Sequence, residues 1–368
     1  MMHKTCVTTT TKKYDVLTGS DILESSLRHT LKEHATDTLF IFIDENVNKY
    51  HRVWLDKILQ SISDDMKVLI VPEGESSKSI SFYSKAVDFL LQNRVRRNTP
   101  LIVIGGGVTG DLGGFAAATV LRGIPLIHIP TTLLAMVDSS IGGKTGINHS
   151  VGKNLIGSFY QPDAVIADIR FLSSLPRNEW FNGLSEILKY GAIHDSDIFN
   201  RANIFLTEDL IKIDSDKLIS LIGRCVEIKA EIVGHDEHES GIRAYLNFGH
   251  TFAHALEKAC DYDKISHGEA VYLGMLAACK LSTLTGGTLT DDFIVRFRSL
   301  YKYRVAREEV SSDNLLRYMQ SDKKRTGVNL TFILLKSWQE PTVKTVADDK
   351  LIIESLEVLY NELDLNQI

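Results

Sequence analysis

No apolar run in this chain approaches the roughly 18 residues that a helix needs to span a bilayer, so nothing in it reads as an integral membrane segment. Cysteine is scarce, with four in 368 residues. Cys6, Cys225, Cys260 and Cys279 form no Cys-x-x-Cys pair, which argues against a disulfide framework or a thiolate zinc site. They read as reduced thiols of a cytoplasmic protein. Positive charge is not in excess: the formal net charge is -6. No overall field therefore attracts nucleic acid or anionic lipid, and neither a nucleic-acid nor a membrane partner is expected. Any anion must be held locally, by a few placed Lys and Arg residues. The start, residues 1–13, is polar and Thr-rich without the apolar core of a secretory leader, although its lack of acids keeps an organelle-targeting segment as a lesser alternative. Long linkers, internal repeats and low-complexity tracts are also missing.

What is present suits a globular protein of two domains, with 44% hydrophobic and 24% charged residues. Four short apolar runs, 39–43, 68–71, 101–104 and 126–129, read as buried strands of a parallel sheet. Helical stretches such as 81–93 lie between them, which predicts an α/β, Rossmann-like domain. From about Pro176 long helical patterns dominate: 179–192, 216–233, 251–260 and 270–285, with one late strand at 330–335. The chain is therefore divided into a nucleotide-type α/β domain, 1–178, and a mainly α-helical domain, 179–368. The site is expected in the cleft between them.

Glycine marks the first chemical signal. Residues 105–111, GGGVTGD, follow a strand and open a helix, where backbone can approach a pyrophosphate at a helix N-terminus. The spacing is not the usual GxGxxG, so a plain strand-to-helix turn remains open. A second patch, 142–146, resembles the end of a Walker A loop, but Asp138 stands where that pattern needs Gly, which disfavours a kinase or ATPase. Arg122, Thr131, Thr132, Asp138, Lys144, Lys153 and Asn154 are interleaved with small residues, a composition suited to phosphate recognition. For any one of them a solvated surface is an equal alternative.

The second half carries a metal signal. His250 and His254 sit at i and i+4 on one helix face, His267-Gly268-Glu269 opens the next helix, and Glu186 and Lys189 share a face of an earlier one. Two or three His with one carboxylate make a catalytic metal set that leaves a coordination position open. Spacing does not choose among the His residues or establish the Glu. The residues by themselves support a dinucleotide or phosphate site and a metal site, and no particular reaction.

Taken together and in order, ten segments resemble the 3-dehydroquinate synthase family over about residues 40–335. They are 73–78 (EGESSK), 105–111 (GGGVTGD), 121–123 (LRG), 130–134 (PTTLL), 137–146 (VDSSIGGKTG), 152–157 (GKNLIG), 184–191 (LSEILKYG), 243–254 (RAYLNFGHTFAH), 267–271 (HGEAV) and 322–324 (DKK). Each is modestly specific, and the whole series is highly so. The resemblance implies conversion of 3-deoxy-D-arabino-heptulosonate 7-phosphate to 3-dehydroquinate and phosphate, the second step of the shikimate pathway. It implies NAD and one divalent metal, zinc or cobalt, as cofactors, with Glu186, His250 and His267 as metal ligands.

The same matching implies that NAD is held by Asp44, Asn46, Glu73, Gly74, Glu75, Ser76, Ser77, Lys78, Gly106, Gly107, Val108, Thr109, Gly110, Asp111, Thr131, Thr132, Lys144, Lys153, Phe171, Leu172, Ser173 and Ser174. Substrate falls to Arg122, Asp138, Lys144, Asn154, Lys189, Lys229, Arg243, Asn247 and Lys324 or its neighbour Lys323. Catalytic roles fall to His254, Glu239 and Lys144, and a homodimer is implied. Departures from the family pattern are Ala253 for Gly, Ser185 for Ala and Ser174 for Thr, none of which removes a charge or ligand. The rivals are an amino-dehydroquinate synthase or another sugar-phosphate cyclase, a metal-dependent polyol dehydrogenase, and a non-enzymatic dinucleotide sensor. Valiolone-type cyclases typically lack the matches at Lys229, Arg243 and His254, all present here.

Overall fold

The computed structural model describes residues 2–34, 38–323 and 330–366. Its backbone gathers into two compact units, Met1–Trp180 with Ile211–His238, and Phe181–Leu210 with Glu239–Ile368. Among the described residues no helix is long and apolar enough to cross a membrane.

The first unit is built on a sheet with seven strands among the described residues, in the order β1-β2-β9-β6-β5-β3-β4. These are β1 (Met2–Thr8), β2 (Lys13–Gly19), β3 (Thr38–Asp44), β4 (Asp65–Val71), β5 (Leu101–Gly105), β6 (Leu126–Pro130) and β9 (Ala164–Asp168), while β7 (Lys144–His149) and β8 (Gly152–Phe159) form a separate hairpin. Only β1 pairs antiparallel within the large sheet; the other pairings are parallel. The sequence's four apolar runs are β3 to β6. Strands β5, β6 and β9 are buried at every position, because helices cover both faces and no polar alternation is needed. Strand β4 departs from the expectation of a buried strand. It ends the sheet, and Val68 and Ile70 are 45% and 47% exposed. Strands β1, β2 and β9 were not anticipated: β1 and β2 are rich in polar residues, and in β9 only Val165 and Ile166 are large apolar residues.

Helices α1 (Leu23–Leu31), α2 (Glu45–Ile62), α3 (Ile80–Gln92) and α4 (Gly107–Thr119) connect these strands. Their starts follow from local chemistry: Asp44 accepts from Asn46 N at 2.9 Å to cap α2, and Ser79 accepts from Phe82 N at 3.4 Å to cap α3. After β3 the chain moves outward to β4, whereas after β5 it moves the other way to β6. The crevice at the C-terminal ends of β3 and β5 is thus a topological switch point, where open α/β sheets bind ligands.

The second unit contains most of α5 (Arg177–Ile193), together with α6 (Asp197–Arg201), α8 (His250–Ala259), α9 (His267–Leu284), α10 (Ser312–Lys323) and α11 (Asp349–Asn366), and the hairpin of β10 (Leu330–Leu335) and β11 (Pro341–Val346). The helix α7 (Ser215–His235) packs against β1 and groups with the first unit.

Candidate active site

In the first unit the candidate dinucleotide residues collect at the C-terminal edge of the sheet. Asp44 ends β3, and Asn46 donates to the Glu73 carboxylate beyond β4. Residues 73–78 turn through a short helix, Glu75–Ser77, with Gly74 at φ 86 and Ser76 exposed. Gly106, Gly107, Val108, Thr109, Gly110 and Asp111 form the start of α4, and Thr131 N donates to Gly105 O at 3.0 Å after β6. Thr132 Oγ1 accepts from Ala135 N at 3.1 Å. Phe171 and Leu172 are buried in the turn after β9, Ser173 is exposed, and Ser174 Oγ lies 2.7 Å from His51 Nε2.

Charge is organised around the same edge. Lys78 is buried, and its ammonium donates to both Asp111 and Asn154. Burial pushes the Asp111 pKa up, while the charge and hydrogen bond of Lys78 hold it back. Asn148 links Glu75 Oε1 at 2.7 Å to the Asn154 backbone N at 2.9 Å, which ties the β7–β8 hairpin to the turn after β4. Asn154 has φ 55 and Arg122 φ 65; Asn adopts such left-handed backbone readily, whereas for Arg it is costly, a strain that clusters at functional sites. Arg122 and Lys144 are exposed and Lys153 half-buried. Lys229, buried on α7, donates to Asp138 Oδ1 at 2.8 Å and to Asp138 O at 2.7 Å, so two candidate substrate residues meet directly.

In the second unit three helices bring Glu186, His250 and His267 together, with one ligand atom of each within 4.8 Å of the others. Both imidazoles turn Nε2 toward Glu186 Oε1, at 3.5 Å from His250 and 3.4 Å from His267. The sequence dictates much of this locally. Ser266 and Glu269 form a capping box, Ser266 N donating to Glu269 Oε2 at 2.8 Å, which fixes His267 in the first turn of α9. Glu269 is thereby a cap. At Gly268 the helices α9 and α5 nearly touch: a Cβ there would come within 2.3 Å of Asn182 Cα. Asn182 Oδ1 accepts from Gly268 N at 3.0 Å, and Ser185 Oγ donates to Gly268 O at 2.6 Å, so the residue before Glu186 is bonded to the residue after His267.

The donor set fits a divalent ion. It offers two nitrogens and a carboxylate, the pattern of a catalytic site with an open position. The second ring nitrogens also have partners, His250 Nδ1 at 3.2 Å from Phe248 O and His267 Nδ1 at 3.3 Å from Glu257 Oε1, as ligating imidazoles generally do. Crowding by protein atoms disfavours charge on His267, yet hydrogen bonds to Glu186 and Glu257 and their negative charge raise its pKa to about 10. Burial likewise opposes ionisation of Glu186, but Lys189 and the two imidazoles hold its pKa well below the carboxylate range. The two carboxylates thus make this a place for a cation. Lys189 pairs with Glu186 in the buried layer behind it.

Of the remaining candidates, His254 is exposed one turn along α8, its ring 5.6 Å from that of His250. Glu239, at φ 59, accepts from Asn247 Nδ2 at 2.6 Å, and Arg243 is buried. Lys324 lies outside the described residues, and Lys323 ends α10. Sequence reasoning missed Glu257, Asn148 and Asn182. Glu257 follows His250 by two helical turns on one face, a spacing that could have revealed it; the two asparagines carry no such signal.

Comparison with known proteins adds the chemistry. The 3-dehydroquinate synthase N-terminal model matches residues 68–182 and the C-terminal model residues 183–325. A 3-dehydroquinate synthase of Bacillus cytotoxicus is 37% identical over 376 residues, covering 100% of this chain and 99% of that protein. One from Nitrosospira multiformis is 45% identical over 291 residues, covering 78% and 79%. Among solved structures, a 2-deoxy-scyllo-inosose synthase complexed with carbaglucose-6-phosphate, NAD+ and Co2+ superposes with a TM-score of 0.83 at 26% identity, covering 96% of this chain and 99% of that one.

Proposed function

The chain belongs to the 3-dehydroquinate synthase family, and we propose on that premise how its residues share the reaction. The enzyme converts 3-deoxy-D-arabino-heptulosonate 7-phosphate to 3-dehydroquinate and phosphate, a lyase step of the shikimate pathway in aromatic amino acid biosynthesis. NAD and one divalent ion, zinc or cobalt, serve as cofactors. The observation that carries this reading is the Glu186, His250 and His267 cluster in a chain matching the family from end to end.

The route runs through oxidation of a ring hydroxyl, phosphate elimination, reduction, ring opening and intramolecular aldol closure. When bound, the ion supplies Lewis-acid polarisation and the dinucleotide the redox change. The protein binds and orients. Glu186, His250 and His267 are the ion's ligands, with Glu257 and the Phe248 carbonyl orienting the two rings. The turns at 44–46, 73–78, 106–111, 131–132 and 171–174, with Lys144 and Lys153, are assigned to NAD. Arg122, Asp138, Lys144, Asn154, Lys189, Lys229, Arg243, Asn247 and Lys324 are assigned to the substrate, whose phosphate and carboxylate call for several cations. His254 and Glu239 are assigned to proton transfer, and Lys144 is assigned a catalytic role beside its cofactor and substrate contacts.

The division of labour follows the domains in part: residues 1–178 are assigned NAD and a share of the substrate through Arg122, Asp138, Lys144 and Asn154, and residues 179–368 the metal and the rest of the substrate. A cytoplasmic homodimer without nucleic-acid or membrane partners completes the proposal. It is tested by phosphate release from the heptulosonate phosphate with and without a chelator. Release that depends on the ion is the expected result, and full turnover by metal-free protein would refute it.

A further inference from the structure

Among the buried side-chain oxygens at the sheet edge, Ser139 Oγ has no hydrogen-bond partner among the described residues. Native structures leave few such groups unsatisfied, and each one points to a water, an ion or a ligand. The neighbouring Ser140 meets the same need locally, its hydroxyl donating to Ala135 O at 2.7 Å. Ser139 instead ends a five-residue π-helical turn, Ala135–Ser139, of the kind frequently found at functional sites. That turn sets Asp138 toward Lys229 and lays the Ser139 hydroxyl over the glycine turn: a Cβ at Gly107 would come within 3.1 Å of Ser139 Oγ. Thr132 borders the same turn, since a Cβ at Gly106 would come within 2.9 Å of its methyl carbon. The hydroxyl therefore faces the first residue of α4, at the switch point of the sheet, where an anionic dinucleotide is favoured.

We propose that Ser139 is a cofactor-contacting residue, its hydroxyl making a hydrogen bond to the nicotinamide dinucleotide held at residues 106–111. This rests on the assignment of that turn to NAD. A hydroxyl can donate or accept, so it suits either an oxygen or an amide of the ligand.

The test uses the full chain loaded with zinc, NAD as the probe, and the variants Ser139→Ala and Ser139→Cys. Dissociation constants come from calorimetry and melting temperatures from scans with and without NAD. Because Ser139 Oγ makes no hydrogen bond to the described residues, both variants should melt at or above the wild-type temperature without NAD. Both should bind NAD about three- to tenfold more weakly, the worth of one ordinary hydrogen bond. Wild-type affinity in both variants would overturn the proposal and identify a trapped water as the partner. An equal drop in melting temperature with and without NAD would overturn it in favour of a structural role. If wild-type protein itself failed to bind NAD, the assignment of the turn would fall first, an outcome visible before any variant is made.

Discussion

Replacing Glu257 by Gln perturbs the ion site without touching a ligand. Glu257 is 7% exposed, and its Oε1 stands 3.3 Å from His267 Nδ1. The amide keeps the shape and one acceptor oxygen, so the tautomer that leaves Nε2 facing Glu186 survives. What disappears is the negative charge that makes the imidazole a stronger donor to the ion. Outer-shell partners of this kind typically contribute about ten- to a hundredfold in metal affinity, which is roughly 1.4–2.7 kcal/mol. The 3.3 Å separation is longer than the usual N–H···O bond, so the lower end, about tenfold, is expected. Competition for zinc between the protein and a chromophoric chelator measures it directly. Turnover at saturating zinc should return to near the wild-type rate, since the ligands and the substrate groups are untouched. Unchanged zinc affinity would refute the reasoning, and so would a loss of turnover that excess zinc fails to restore.

NAD should be needed only in catalytic amounts, because the net reaction changes no oxidation level; stoichiometric growth of NADH absorbance would favour a polyol dehydrogenase instead. Heptulosonate 7-phosphate should be turned over and sedoheptulose 7-phosphate should not, since on the proposed assignment a sugar lacking the carboxylate forgoes charge-assisted hydrogen bonds to Lys229 and Arg243, each worth about 1.5–3 kcal/mol. Arg243→Ala should narrow that gap by harming the acid substrate alone, and comparable specificity constants for the two sugars in the wild-type enzyme would contradict this. Acid stability should depend on Glu237, which accepts from the hydroxyls of Thr10 and Thr11, from Thr11 N at 3.1 Å and from Gln161 Nε2 at 2.9 Å. Burial works against its charge, but those bonds bring its pKa from 4.5 to about 2. Its contribution is therefore complete above pH 4.5 and is lost as pH falls toward 2. Glu237→Gln should flatten the fall of melting temperature across that window, and an unchanged acid limb would count against the assignment.

The family and its reaction were legible in the chain alone, because ten short segments in a fixed order are specific where each one is not. The strands β3, β5 and β6 were equally legible, since burial on both faces writes an unbroken apolar run. The polar strands β1 and β2 wrote no such signal, nor did β9, whose run holds only two large apolar residues, Val165 and Ile166, and the edge position of β4 depends on what lies beside it. Helix α7 reads as a helix from its periodicity, but its 21 residues do not say which unit it joins; packing against β1 decides that. The metal set shows the division most clearly. Spacing offered His250, His254 and His267 as equals and could not establish the carboxylate, so its selection rested on the family resemblance. The meeting of Glu186 with His267 rests on the near contact of two helices at Gly268, closed by Asn182 and Ser185. A helix face can be read from a 3.6-residue period, because each turn dictates the next. Which other face it meets is settled by backbone approach between segments far apart in the chain, and no local pattern encodes that distance.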